Sequence, residues 1–111
     1  MYISVTGLRL NTVLSLPVFW RYTLPAMVAA RRAPGNLSAD ARKVGAVHHT
    51  LSTWESRAHM RAYLRSPSHA RAMPRFAKIA TGRVVGWDAA ARPEWDEALH
   101  RLATQGRDVY G

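Results

Sequence analysis

Apolar and polar positions alternate along the first segment with the period of a strand. In residues 2–10, Ile3 and Val5 fall on one parity and Leu8 and Leu10 on the other, with Gly7 at the change. A bulge at Gly7 is expected to bring all four apolar side chains to one face. The spacing then lengthens to that of a helix over residues 14–33, with Ser15 as cap and Pro17 in the first turn. Pro25 is expected to kink this helix. Arg31 and Arg32 complement the dipole at its end, and Pro34–Gly35 stops it. Residues 35–42 are short and polar, a weak edge strand or a loop. Residues 46–54 form the clearest strand. Val47, His49, Leu51 and Thr53 share one face; His48, Thr50, Ser52 and Trp54 share the other.

Helical spacing returns at once. Over residues 55–65, Met60, Tyr63 and Leu64 make an apolar stripe, and Arg57, Arg61 and Arg65 ride the opposite side at steps of four. Ser66 caps a second helix with Pro67 in its first position, and His69, Met73, Phe76 and Ala80 fall along its apolar face. A strand over 82–88 and a helix opening at Pro93–Glu94 follow; Glu97 can pair with Arg101, and Gly106 ends the helix. The order predicts an α+β, ferredoxin-like domain over residues 1–106. It has a four-stranded antiparallel sheet, two main helices and an extra C-terminal helix. Residues 107–111 are expected to form a loose tail.

Composition narrows the function classes. The 111 residues contain no cysteine, which excludes disulfides, thiolate metal sites and thiol nucleophiles and suits a cytoplasmic location. The net charge is +9, carried almost wholly by arginine. A matching alanine enrichment favours a compositional origin over a nucleic-acid footprint, and the Arg57–Arg61–Arg65 ladder reads as a solvated helix face, so nucleic acid is not the expected partner. Residues 13–30 are the longest apolar run, but Arg21, Pro17 and Pro25 interrupt it. A helix buried against the sheet or a second chain is expected there rather than a membrane span. No metal-ligand spacing, carboxylate pair, phosphate-cradling loop or nucleophile elbow is present.

The strand exit Ser52–Thr53–Trp54–Glu55–Ser56, then Met60, and the pair His69–Met73 resemble the antibiotic-biosynthesis-monooxygenase superfamily, most closely its spheroidene-monooxygenase-like group. The resemblance implies a homodimeric α+β barrel with a hydrophobic pocket in each subunit for an aromatic or lipophilic small molecule. It implies monooxygenase-like chemistry, with no cofactor or with haem. It does not extend to the haem-degrading branch. Asn11 lies past the first strand, Tyr63 stands where that branch has a tryptophan, and Met73 falls near the place of its histidine.

On this reading His69 is a catalytic base or a haem ligand, because a neutral imidazole serves either role. His49, which shares a face with Val47 and Leu51, is the second catalytic candidate. Trp54, Tyr63 and Met73 are the substrate-binding candidates. His48 is assigned to the opposite side of the strand, facing a subunit interface or solvent. Dimerisation has a physical motive: helices on one face of a sheet leave its other face uncovered. Two further readings stay open, a non-catalytic binding or scaffold dimer and a basic nucleic-acid-associated module.

Overall fold

A computed structural model describes residues 1–110, with side chains to Val109. Five strands and four α-helices follow one another as β1 (Tyr2–Leu10), α1 (Leu16–Arg32), β2 (Asn36–Val44), β3 (Val47–Trp54), α2 (Arg57–Leu64), α3 (Pro67–Ile79), β4 (Ala80–Asp88), α4 (Trp95–Gln105) and β5 (Arg107–Tyr110). One 3₁₀ turn, Val13–Ser15, leads into α1. The strands form a single antiparallel sheet in the order β2-β3-β1-β4-β5.

The expected weak segment after Gly35 is a full edge strand, β2. The tail expected to be loose is instead β5: Arg107 to Tyr110 pair with β4, and Asp108 meets Arg83 at 3.3 Å. Four residues of mixed polarity carry too short a pattern to announce a strand; the free edge of β4 supplies the pairing partner. Gly111 lies outside the described residues.

Both faces of the sheet are covered. Below it, Ile3, Val5 and Leu51 are fully buried against Ala98 and Leu102 of α4. Each such side chain contributes roughly 1.5–3 kcal/mol of burial free energy. Above it lie α1, α2 and α3, and there Leu8 packs with Phe19 and Ala80. The motive for dimerisation through a bare sheet face is therefore absent, because α4 occupies that face.

The same covering explains β1. Its register against β3 and β4 runs unbroken through Gly7, so no bulge forms there. Ile3 and Val5 point down to α4, and Leu8 points up to the α1–α3 layer. Glycine at position 7 answers a different need. A Cβ there would meet Leu102 at 3.0 Å and the His49 ring at 3.1 Å, so its absence lets α4 settle on the strand.

The first helix is less buried than its composition suggests. Only Phe19, Thr23, Ala26 and Ala30 of α1 are buried. With the preceding turn it spans Val13–Arg32, 20 residues, long and apolar enough by length and composition to cross a membrane. Its inner face is nevertheless packed on the sheet.

Candidate functional site

The site grows from the parity of β3. Trp54, Ser52, Thr50 and His48 share the upper face, and β1 sets Ser4 opposite Ser52 and Thr6 opposite Thr50. The Thr6 and Thr50 hydroxyls are hydrogen-bonded to each other. Ser52 accepts a hydrogen bond from the Trp54 indole Nε1 at 3.0 Å. A strip of hydroxyls thus floors the space beneath the helices. That space is a cavity of about 660 Å³, walled by α1, α2 and α3.

At one end, α2 and α3 meet the strand exit. Ser56 caps α2 by accepting from the His59 backbone N–H at 3.3 Å, which starts the helix directly after β3. Gly35, at φ 81°, lies under the His59 ring, where a Cβ would sit 2.2 Å away. This junction stacks Tyr63 on Trp54, ring centroids 5.4 Å apart and planes inclined by 27°. His69, in the first turns of α3, stands edge-on to Tyr63 at 5.3 Å. Trp54, Tyr63, His69 and Met73 all border the cavity, so the structure brings four of the five sequence candidates together.

The electrostatics differ among them. Burial pushes the Tyr63 phenol up to about 12, and its O–H donates to the Ala26 carbonyl at 2.8 Å. It is a neutral wall, not a base. His69 is held below the ordinary histidine value by burial, partly opposed by the Leu64 carbonyl. Its Nδ1 lies 3.1 Å from that carbonyl oxygen, which can only accept. Nδ1 therefore carries the proton, and Nε2 keeps the lone pair.

The fifth candidate, His49, is placed otherwise. Its imidazole lies against Gly7 beside Leu102, under α4, with Nδ1 3.2 Å from the Thr6 carbonyl oxygen. Although His49 borders the cavity, its ring is on the other side of the sheet. The histidine on the cavity side is His48, which sequence reasoning had sent outward. Its ring packs against Phe19 (4.5 Å) and Trp20 (5.9 Å) of α1. Burial lowers its pKa, and the charges of Lys43 and His49 add to the effect. Both cavity imidazoles are thus biased toward the neutral form. Among the described residues no Asp or Glu borders the cavity, whereas Lys43 and Arg57 do.

Sequence reasoning also missed Phe19, Trp20 and the hydroxyl strip. The strip was legible, since Thr50 and Ser52 share the parity of Trp54. The α1 aromatics gave no signal that separates a cavity wall from a core.

No protein-family model and no curated protein matches the chain. Solved structures do. One antibiotic biosynthesis monooxygenase superposes with a TM-score of 0.73 at 16% identity, covering 82% of this chain and all of that one. A putative antibiotic biosynthesis monooxygenase from Nitrosomonas europaea gives 0.73 at 14% identity, with 82% and 100% covered. SnoaB of Streptomyces nogalater, a cofactor-independent oxygenase, gives 0.68 at 13% identity, with 84% and 97% covered. At such identities the likeness is one of architecture, and it extends over nearly the whole of each relative: this chain has the ferredoxin-like α+β fold of the antibiotic biosynthesis monooxygenases.

Proposed function

We propose that the cavity binds a lipophilic or aromatic small molecule and that the protein oxygenates it as a monooxygenase. The observation that carries this reading is His69. Its Nδ1–H is committed to the Leu64 carbonyl, its Nε2 is left basic, and its ring borders a cavity that no carboxylate among the described residues borders. A neutral imidazole there can take the proton of an activated phenol. For a phenol that is the enol tautomer of a ring ketone with a conjugated methylene, the resulting anion shares its charge with that carbon, which bonds dioxygen; protonation gives a hydroperoxide that loses water to leave C=O. The balance closes without a reductant, since CH₂ plus O₂ gives C=O plus water. The hydroxyl strip of Thr6, Thr50 and Ser52 would bind the oxygens of the substrate, and the Trp54–Tyr63 stack its plane. His48 replaces His49 as the second candidate base. A place in the spheroidene-monooxygenase-like group rests on the Ser52–Trp54–Ser56 and His69–Met73 patterns alone.

The test is oxygen uptake with a hydroxylated polycycle bearing such a methylene. His69→Ala is expected to lower kcat by roughly 100-fold or more, the usual range for a lost general base. Undiminished turnover in His69→Ala would overturn the assignment, and a loss confined to His48→Ala would move the base to His48.

A second reading is supported by the same nitrogen. Nε2 of His69 would hold the iron of a bound haem, and Lys43 and Arg57 on the cavity border would pair with its propionates. Haem, when bound, would supply the oxygen chemistry itself. A Soret band on haem titration that is lost in His69→Ala separates this version from the cofactor-free one. A homodimer belongs to the proposal too; the free edges of β2 and β5 give it a means of pairing, and light scattering measures it.

A further inference from the structure

We propose that the outward face of α1, framed by the arginines of the helical layer, is a docking surface for an anionic lipid bilayer, on which the molecule lies without crossing it. The proposal stands independently of any activity in the cavity.

The first observation is charge segregation. Residues 12–39 and 56–87 contain no Asp or Glu. The three helices of the upper layer and the Arg65 that joins two of them hold nine of the sixteen cations, all exposed. The seven carboxylates lie elsewhere and match the other seven cations. The net charge of +9 is therefore a property of one layer, not of the chain as a whole. A uniform compositional bias toward arginine does not explain that division.

The second observation is an apolar stripe set among those charges. Val13, Leu14, Val18, Trp20, Leu24 and Val28 are exposed, Leu14 at 83% and Leu24 at 58%. They account for six of the ten exposed large apolar residues among those described, and all lie on α1 or the turn before it. Cations flank them closely. Arg21 and Arg75 both sit over the Tyr22 ring, at 5.9 and 5.8 Å. Arg32 lines a shallow groove with Leu24 and Val28.

The combination selects the occupant. An apolar helix face bordered by arginines is the signature of an interfacial helix, whose aliphatic side chains enter the acyl boundary while the cations meet phosphates. A nucleic acid would satisfy the arginines but leave Leu24 and Val28 unmatched. A second copy would satisfy the leucines but, in a symmetric contact, oppose like charges. Spanning is excluded by the inner face of α1, since Phe19 and Ala30 are buried in this fold. Trp20 belongs both to the stripe and to the cavity border, so docking would open the cavity beside the bilayer.

The experiment is flotation with phosphatidylcholine vesicles, with and without phosphatidylglycerol. The wild-type chain is expected to bind the anionic vesicles roughly tenfold or more tightly than the neutral ones. Leu24→Glu/Val28→Glu is expected to lose that binding with unchanged circular dichroism, both positions being exposed. Arg71→Gln/Arg75→Gln is expected to weaken it and flatten its salt dependence. Wild-type protein that stays in the aqueous fraction with both vesicle types overturns the proposal. So does binding to duplex DNA that outcompetes vesicles and survives Leu24→Glu/Val28→Glu. A dimer that this double variant converts to monomer overturns it in favour of a second copy.

Discussion

The two faces of the sheet are built from the same five strands and do opposite things. Beneath, Ile3, Val5 and Leu51 meet α4 with no exposed surface, and the polar groups there are tied off, His49 on the Thr6 carbonyl and Arg83 on the Leu102 carbonyl. Above, hydroxyls and imidazoles take the positions that aliphatic side chains hold below, and a hollow of about 660 Å³ remains. Neighbouring residues on one strand serve both ends, because side chains alternate across a sheet. Cohesion is concentrated on the α4 side, which leaves the helical side room for polar groups that a solid core would exclude.

The sharpest way to break that comparison is to make the same kind of deletion on each face. Leu51→Ala, under α4, is expected to cost about 2–5 kcal/mol by urea denaturation, because a fully buried side chain leaves a void its packed neighbours cannot fill. Met73→Ala borders a cavity that already exists and is partly exposed, so its expected cost is roughly 1 kcal/mol. Equal losses would mean that the upper face is as close-packed as the lower.

Acid should act on both faces, since His48 and His69 lie above the sheet and the His49 ring below it. Burial holds all three below the ordinary value of 6.5 in the folded state. The unfolded chain therefore binds protons first as the pH falls. Stability is full above about pH 6.5, declines as pH drops through that value, and levels off once the folded imidazoles also protonate. His49→Gln is expected to remove part of this slope in melting temperatures between pH 7.5 and 5. A slope of the opposite sign would show histidines held by negative partners, and no carboxylate among the described residues borders the cavity.

How much of this contrast was legible in the sequence follows from the kind of signal each part gives. The strands and helices announce themselves by period, and Trp54, Tyr63 and His69 converge because the cap at Ser56 and the Ser66–Pro67 start fix where α2 and α3 begin. Parity also held the answer for the histidines. Trp54 and His48 share a face of β3, so a cavity walled by Trp54 must include His48 and exclude the His49 ring. What the sequence could not tell was that both faces would be covered. That fact alone decides whether Gly7 marks a bulge or a contact with α4, and whether Leu8 points up or down. The charge segregation was present in the sequence as two long stretches without a carboxylate, yet only the folded layer shows that they adjoin.

The smallest expected effect lies at Thr23, and its sign is what matters. Thr23 faces the sheet from α1, and its Oγ1 is buried without a hydrogen-bond partner among the described residues. A helical threonine can ordinarily bond back to a carbonyl one turn earlier; this one does not. A buried hydroxyl that gives up water and gains nothing is a cost, so Thr23→Val should raise stability by about 1 kcal/mol, read as a higher urea midpoint at constant m-value. Such tolerance belongs to the upper face, where packing is loose. The same logic fails beneath the sheet, where the Thr53 hydroxyl is paired with Ser38 at 2.6 Å and Thr53→Val should destabilise. Opposite signs at two buried threonines would express the difference between the faces in a single pair of melts, and equal signs would erase it.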